Sequence, residues 1–146
     1  MRPTPAGWPR LSTSIYYDDA AKAIDWLCDA FGFELRLKVE GEGGRIEHSE
    51  LVFGAAVVMV SQSGLKEKLP RLPRGASPAS MGGANTQSVM LYVDDAEAHY
   101  QQALKAGARI VDEPKIHDYG EDYWSDRSYG VLDLEGHAWW ITERVR

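Results

Sequence analysis

The 146-residue sequence predicts an α+β protein of two βαβββ modules whose curved, mixed sheets enclose a cleft. One observation is an internal repeat: Tyr17-Asp18-Asp19-Ala20 recurs as Val93-Asp94-Asp95-Ala96, each time between a strand-like run and a helix-like run. The other is physical. A four-stranded sheet with one helix buries only one of its faces, so each module needs a second one to form a stable body.

Both predicted helices have recognisable ends. Asp19 and Asp95 are expected N-caps, because a short carboxylate accepts the free amide protons of the first helical turn. Gly32 and Gly107 are expected to end the helices in the left-handed conformation that glycine tolerates. His99, in the middle of the second helix, is expected to be partly exposed. The apolar residues at helical spacing are Ile24, Leu27, Cys28 and Phe31 in the first helix, and Ala96, Tyr100, Ala103 and Leu104 in the second.

Strand signals follow each helix. Alternation over residues 34–39 predicts a strand, and the glycines of 41–44 a hairpin turn. The other predicted strands are 45–53 and 55–61 in the first half, and 109–116, 127–134 and 137–143 in the second. The first module therefore spans 11–61 and the second 86–145, and together they make one domain. Residues 62–85, rich in Pro, Gly and Ser, are predicted to be a flexible linker between the modules.

Composition excludes several classes of protein. The net charge of −6 argues against a nucleic-acid partner, because affinity for phosphate backbones comes from clustered Lys and Arg. No apolar run approaches the roughly 18 residues that span a bilayer, and the N-terminus lacks the apolar core of a signal peptide, so no membrane association is expected. The single cysteine, Cys28, excludes a disulfide framework and fits a reducing, cytoplasmic environment.

The aromatic content is unusual. Five tryptophans and seven tyrosines exceed what one small core needs. Aromatic side chains combine a large contact area with a polar tip, so a surplus of them often lines pockets or subunit interfaces. We therefore expect a small-molecule site and a homodimer.

Several motifs resemble those of the vicinal oxygen chelate superfamily, which has the glyoxalase and bleomycin-resistance fold. They are the two Asp-Asp-Ala helix openings, Ala30-Phe31-Gly32-Phe33, Lys105-Ala106-Gly107-Ala108, and the ending Asp126-Arg127-Ser128-Tyr129 with Asp133-Leu134-Glu135-Gly136-His137-Ala138-Trp139. The resemblance covers residues 11–145, with Leu134 where the family usually has proline. It implies the two-module fold and a homodimer, since clefts in this family often form across subunits. Whether the modules pair within one chain or swap between chains stays open.

The resemblance also implies where a metal ion would be held, on the first and last strands of each module, usually by His or Gln and then Glu. Carried onto this sequence, those positions are Ser12, Ser88, Val58 or Met59, and Trp140. Hydroxyl, aliphatic, thioether and indole groups are not ligands for a hard or borderline divalent cation. We therefore expect no metal and no other cofactor.

Strand alternation predicts the lining of the cleft. If Ser12 and Ser88 face it, then Ser14, Tyr16, Met90, Tyr92, Ala138, Trp140 and Thr142 do too. His48 and Glu50 share one face of a strand and are also expected there. Trp124 belongs to a loop, residues 116–126, whose rings and carboxylates together favour cations. The sequence leaves three alternatives open. In these, the aromatic rings serve only to fill the contact between the modules, His48 and Glu50 are a surface pair, and the acidic loop is solvated.

The predicted function is metal-free binding and sequestration of a small molecule, a drug or metabolite, as the resemblance to bleomycin-resistance proteins implies. The predicted lining of the cleft suits an aromatic ligand. The net negative charge of the chain favours a cationic ligand. Two alternatives remain. One is an enzyme: either a metal-dependent, glyoxalase-like lyase or dioxygenase with His48, Glu50 and Glu143 as relocated ligands, or a cofactor-free, isomerase-like catalyst that uses one of those carboxylates as base. The other is an interaction module with a filled cleft. The predicted ligand-binding residues are Ser12, Tyr16, His48, Glu50, Ser88, Met90, Tyr92, Trp124 and Trp140.

Overall fold

The computed structural model describes residues 2–64 and 74–146, so residues 65–73 of the predicted linker lie outside the described residues. The elements are β1 (Thr13–Tyr17), α1 (Ala20–Phe31), β2 (Glu34–Glu40), β3 (Ile46–Phe53), β4 (Ala56–Gln62), β5 (Ser88–Tyr92), α2 (Ala96–Lys105), β6 (Arg109–Asp118), β7 (Ser125–Leu132) and β8 (Ala138–Arg144). Short 3-10 turns occupy Glu42–Gly44 and Pro78–Ser80. The predicted order of strands and helices in the two modules is confirmed.

Each module forms a four-stranded mixed sheet of the same topology. The strand orders are β1-β4-β3-β2 in the first sheet and β5-β8-β7-β6 in the second. The first and last strands of each module are parallel neighbours, with Ser14 opposite Met59 and Met90 opposite Trp140. The other pairs are antiparallel. The predicted α+β class with two mixed sheets is therefore confirmed.

The helices begin where their caps were predicted. The Asp19 carboxylate accepts a hydrogen bond from the Lys22 amide at 3.1 Å, and Asp95 accepts one from the Ala98 amide at 2.9 Å. Gly32, with φ of 77°, ends α1 in the left-handed conformation. Within residues 2–64 and 74–146, neither helix has the length and apolar character needed to cross a membrane.

The two modules share one apolar core. Phe31, at the end of α1, packs edge-on against Trp139 of β8 with 5.2 Å between ring centroids. The Tyr17 hydroxyl donates a hydrogen bond of 2.6 Å to Asp133, in the turn between β7 and β8. Both sheets therefore turn their helix-packed sides towards this common core. We name the opposite side of each sheet, which points away from the core, its open face.

The buried side of α2 differs from the prediction at two residues. Leu104, one of the apolar residues at helical spacing, is exposed, whereas His99, expected to be partly exposed, retains only 8% of its accessible surface. The Nε2 of His99 donates to the Phe31 carbonyl oxygen at 2.9 Å, so Nδ1 accepts from the Tyr129 hydroxyl at 2.6 Å. An imidazole is tolerated in this core because both of its ring nitrogens have partners.

The loop predicted at residues 116–126 is shorter than expected. β6 continues to Asp118 and β7 begins at Ser125, so only residues 119–124 connect them. The Tyr119 amide donates to the Trp124 carbonyl oxygen at 3.1 Å, which closes a hairpin. This hairpin holds Trp124 beside the open face of the second sheet.

Candidate functional site

Large side chains are exposed on the open face of the β5-β8-β7-β6 sheet. Met90 retains 60% of its accessible surface, Tyr92 46% and Trp140 39%, whereas their strand neighbours Leu91 and Trp139 are buried in the core. This is the alternation that the sequence predicts. Trp124, at the end of the adjoining hairpin, is also exposed. We name the surface of Met90, Tyr92, Trp124 and Trp140 the aromatic platform.

The indole of Trp140 lies across the neighbouring strand β7. Trp140 is opposite Gly130 in the antiparallel register. A Cβ atom added to Gly130 would lie 3.2 Å from Cζ3 of the indole and 3.2 Å from Cγ2 of Val111. The glycine therefore gives the ring room to lie close to the sheet. Gly130 was not predicted from the sequence, although its spacing of two from Ser128 places it on the same open face.

Asp126 is buried beside the aromatic platform and binds two of its rings. The Tyr92 hydroxyl and the Trp124 indole N–H both donate to Oδ2, at 3.2 and 3.1 Å. Burial and then the hydrogen bond to Asp126 raise the pKa of the Tyr92 hydroxyl. The other carboxylate oxygen, Oδ1, is buried without a hydrogen-bond partner among the described residues. From the sequence, Asp126 was predicted only as one of the acids of the loop.

The register places a histidine and an arginine on either side of Asp126. His117 of β6 and Arg144 of β8 are its cross-strand neighbours. The Nε of Arg144 donates to the Arg146 carbonyl oxygen at 3.2 Å. The side chains that donate hydrogen bonds to the Asp126 carboxylate are the phenol and the indole of the aromatic platform.

Three other predicted site residues lie in or next to the first strand of a module, and they are divided between the two modules. Ser88 begins β5, on the same sheet as the aromatic platform. Ser12 and Tyr16 instead line a cavity of about 580 Å³ between β1 and residues 74–87. The backbone of Gly75 is in close contact with the Tyr16 ring, because a Cβ atom added to Gly75 would overlap that ring. The described part of the predicted linker thus covers Tyr16.

His48 and Glu50 form a hydrogen-bonded pair on β3. The Nε2 of His48 lies 3.1 Å from Oε1 of Glu50, and the Nε of Arg36 donates to Oε2 of Glu50 at 2.7 Å. These hydrogen bonds, first from His48 and then from Arg36, lower the pKa of the Glu50 carboxyl. Arg36 also donates to the Gly7 carbonyl oxygen at 2.6 Å and lies over the Trp8 ring, 4.9 Å from its centroid. Both oxygens of Glu50 are therefore engaged by protein groups.

The residues at the positions that the resemblance implies for a metal do not fit a divalent cation. Two of these positions are serines: Ser12 precedes β1 and Ser88 begins β5. At the other two, the Met59 Sδ lies 4.0 Å from the Ser14 Oγ, and Trp140 lies opposite Met90. In the part of the chain that the structure describes, no three His, Cys, Asp or Glu side chains converge on one point. These side chains suit a surface that binds an organic molecule, and they are a poor set of donors for a metal ion.

Glu143, a candidate ligand or base in the enzyme alternative, does not face the aromatic platform. It alternates with Thr142 on β8, and its Oε2 accepts a hydrogen bond from the Ala96 amide at 2.9 Å. Arg127 lies 3.6 Å from the same oxygen. Glu143 therefore stabilises the first turn of α2, on the helix side of the sheet.

Comparison with known proteins agrees with this architecture. Residues 11–141 match the model of the Glyoxalase/Bleomycin resistance protein/Dioxygenase superfamily. An uncharacterised protein of Mycobacterium bovis is 34% identical over 140 residues, which are 94% of this chain and 85% of the relative. The crystal structure of TioX from Micromonospora sp. ML1 is similar with 33% identity and a TM-score of 0.68, over 92% of this chain and 95% of TioX. A member of the same superfamily from Sphaerobacter thermophilus, 17% identical with a TM-score of 0.64, covers 90% of this chain and 94% of its own, and shows the fold alone.

Proposed function

Because the chain belongs to the Glyoxalase/Bleomycin resistance protein/Dioxygenase superfamily, we propose that it binds and sequesters a small molecule, a drug or a metabolite, without a metal or other cofactor. The ligand stacks on the aromatic platform. The observation that carries this proposal is the exposure of Met90, Tyr92, Trp124 and Trp140 together on one open face. Exposed apolar patches of this kind are typical of binding surfaces.

The hydrogen bonds of the platform support a stacking role. The polar tips of Tyr92 and Trp124 are both bound to Asp126, so the faces and edges of these rings are left for apolar contact. Burying about 100 Å² of apolar surface against them contributes on the order of 2.5 kcal/mol. The hydrogen bonds also hold the rings before the ligand arrives, which lowers the entropic cost of binding.

We include a homodimer in this proposal, with a second copy covering the aromatic platform. Since both sheets of one chain back onto the common core, their open faces point away from each other. The open face of the first sheet carries exposed apolar residues of β2: Leu37 and Val39, opposite Glu50 and His48 in the register. This face of a second chain is an apolar partner for the platform and excludes water from the other side of a stacked ligand.

No contact in residues 2–64 and 74–146 favours the enzyme alternative. Its candidate groups, His48, Glu50 and Glu143, already pair with one another, with Arg36 or with the α2 amide. Metal analysis of protein purified without chelator tests this point, because a stoichiometric divalent metal would overturn the metal-free proposal.

Substitution of Trp140 tests the binding proposal. The probe is 2-naphthylmethanol, a neutral planar compound, titrated by calorimetry. We expect Trp140→Ala to weaken its binding about tenfold, since an aromatic pair contributes up to ~1.5 kcal/mol beyond burial. Trp26→Ala is the matched control and should leave the affinity unchanged, because Trp26 lies on α1, on the helix side of the first sheet, with its indole N–H bonded to the Ala106 carbonyl oxygen. Absence of saturable binding to the wild-type protein, or equal weakening by the two substitutions, would contradict the proposal.

A further inference from the structure

We propose that Asp126 is the polar anchor of the aromatic platform, and that its Oδ1 accepts a hydrogen bond from a protonated amine of the ligand. This inference rests on the proposed function and deepens it, because it names the ligand class: a planar apolar compound that carries a primary or secondary ammonium group. The observation behind it is a buried carboxylate with one satisfied oxygen and one without a partner among the described residues.

The distribution of hydrogen bonds on Asp126 is uneven. The residue retains 4% of its accessible surface, yet both of its donors, the Tyr92 hydroxyl and the Trp124 indole N–H, bind the same oxygen. A carboxylate has lone pairs on both oxygens, and buried acceptors are nearly always hydrogen-bonded. The arrangement therefore lacks a third hydrogen-bond donor, one that would bind Oδ1 of Asp126.

The strand register places this carboxylate on the side of the aromatic platform. Asp126 lies two residues before Ser128, which is opposite Thr142, and Thr142 shares its face of β8 with Trp140. The Tyr92 hydroxyl, on the same open face, reaches Oδ2 directly. Trp124, exposed in the hairpin of residues 119–124, forms the outer wall. Oδ1 itself is buried, so the side chains that cover it must shift before an amine on the platform can contact it.

The surroundings favour a cation over a neutral donor. An ammonium group on the platform lies against the rings of Tyr92, Trp124 and Trp140, which attract positive charge. A hydrogen bond from an ammonium to a carboxylate is also shorter and stronger than one between neutral groups. Arg144 and His117 flank Asp126, but neither of them donates a hydrogen bond to Oδ1 in the described residues.

A series of compounds with the same ring system tests the anchor. The probes are 2-naphthylmethylamine, 2-naphthylmethanol, 2-naphthoate and the trimethylammonium analogue of the amine, titrated into the full-length protein at pH 7. We expect the amine to bind about tenfold more tightly than the alcohol, and the naphthoate most weakly. The trimethylammonium compound keeps the charge but has no N–H donor, so its affinity should fall about tenfold from that of the amine.

Asp126→Asn is the diagnostic substitution, because the amide keeps the shape and an oxygen for Tyr92 and Trp124 but removes the charge. It should lower the affinity for the amine to that for the alcohol and leave the alcohol unchanged. Glu121→Gln is the matched control, since it removes one negative charge from an exposed residue of the same hairpin. It should preserve the preference for the amine.

Each outcome bears on one of the two proposals. Equal affinity for the amine and its trimethylammonium analogue in the wild-type protein would overturn the anchor without any substitution, and therefore independently of whether Asp126→Asn folds. If Asp126→Asn and Glu121→Gln weaken binding of the amine equally, the preference for the amine comes from long-range charge, and the anchor is overturned. Binding of the alcohol without any preference for the amine would overturn the anchor and leave the aromatic platform standing. Failure of all four compounds to bind would overturn both.

Discussion

The position of the Trp140 indole depends on the glycine beneath it. A methyl group on Gly130 would lie 3.2 Å from both Cζ3 of Trp140 and Cγ2 of Val111, closer than ordinary van der Waals contact. We expect Gly130→Ala to lower the free energy of unfolding by about 1 kcal/mol through overpacking, measured by urea denaturation. In the Trp140→Ala background the loss should be smaller by at least about 0.5 kcal/mol, because one of the crowded groups is gone.

The double-mutant comparison is needed because replacing glycine by alanine also restricts the unfolded chain, which is stabilising. That contribution is the same in both backgrounds and cancels in the difference. An identical loss with and without the indole would contradict the packing of Trp140 on β7.

Individual residues of the candidate site were predictable from the sequence to different degrees. Alternation along a strand placed Met90 and Tyr92 on the open face, because a period of two needs no knowledge of neighbouring strands. The importance of Gly130 and Asp126 depends instead on which residues lie across from them, and so on the register of β7 with β8 and β6. Alternation specifies which residues share a face, but a register shift of two residues keeps that face, so alternation alone does not specify the cross-strand partner. Whether these residues bind a ligand stays a prediction.

At the scale of the element, α2 carries a buried imidazole that makes its stability depend on pH. Burial lowers the pKa of His99, and the hydrogen bond to the Phe31 carbonyl only partly opposes this shift. The folded pKa therefore lies below the unfolded value of about 6.5. As the pH falls, the unfolded chain takes up the proton first. The contribution of His99 to stability is complete above about pH 6.5 and is lost as the pH falls towards the folded pKa.

His99→Gln tests this dependence. The glutamine amide can donate to the Phe31 carbonyl and accept from the Tyr129 hydroxyl, but it does not titrate. Between pH 7.5 and 5, urea denaturation should show a larger fall in the free energy of unfolding for the wild-type protein than for the variant. Parallel pH profiles would contradict the burial of a neutral imidazole.

The elements themselves were largely predictable, and the exceptions have one physical cause. Helix caps and strand alternation are local, so Asp19, Asp95 and the strands were predicted close to their observed bounds. On α2, helical spacing fits both His99 and Leu104. Which of the two side chains is buried depends on the core, which supplies hydrogen-bond partners for both nitrogens of the His99 imidazole. The partner of Glu143, the first turn of α2, is likewise distant in sequence, so local pattern does not indicate it.

At the scale of the whole molecule, the repeat predicted two modules but not how they are joined. The pattern of apolar residues in a sheet specifies which of its sides is buried. It does not specify whether that side is covered by the other module of the same chain or by a module of a second chain. The contacts of Phe31 and Tyr17 with Trp139 and Asp133 show that the helix sides meet within one chain. Two open faces with exposed apolar side chains then remain, one on each sheet.

The proposed homodimer follows from this arrangement and is tested through β2. This edge strand exposes Leu37 and Val39 on the open face of the first sheet, where a monomer would present an apolar edge to water. We expect light scattering to give twice the chain mass of 16.3 kDa for the wild-type protein and a monomer for the double substitution Leu37→Glu with Val39→Glu. Leu104→Glu, at a leucine similarly exposed on α2, should remain dimeric.

A monomeric wild-type protein, or a double variant that stays dimeric, would contradict this interface. Titration of the monomeric variant with 2-naphthylmethanol then separates assembly from binding. If the second chain covers the aromatic platform, loss of the dimer exposes the upper side of a stacked ligand to water and weakens its binding. Wild-type affinity in the monomer would instead mean that Met90, Tyr92, Trp124 and Trp140 form the whole site within one chain.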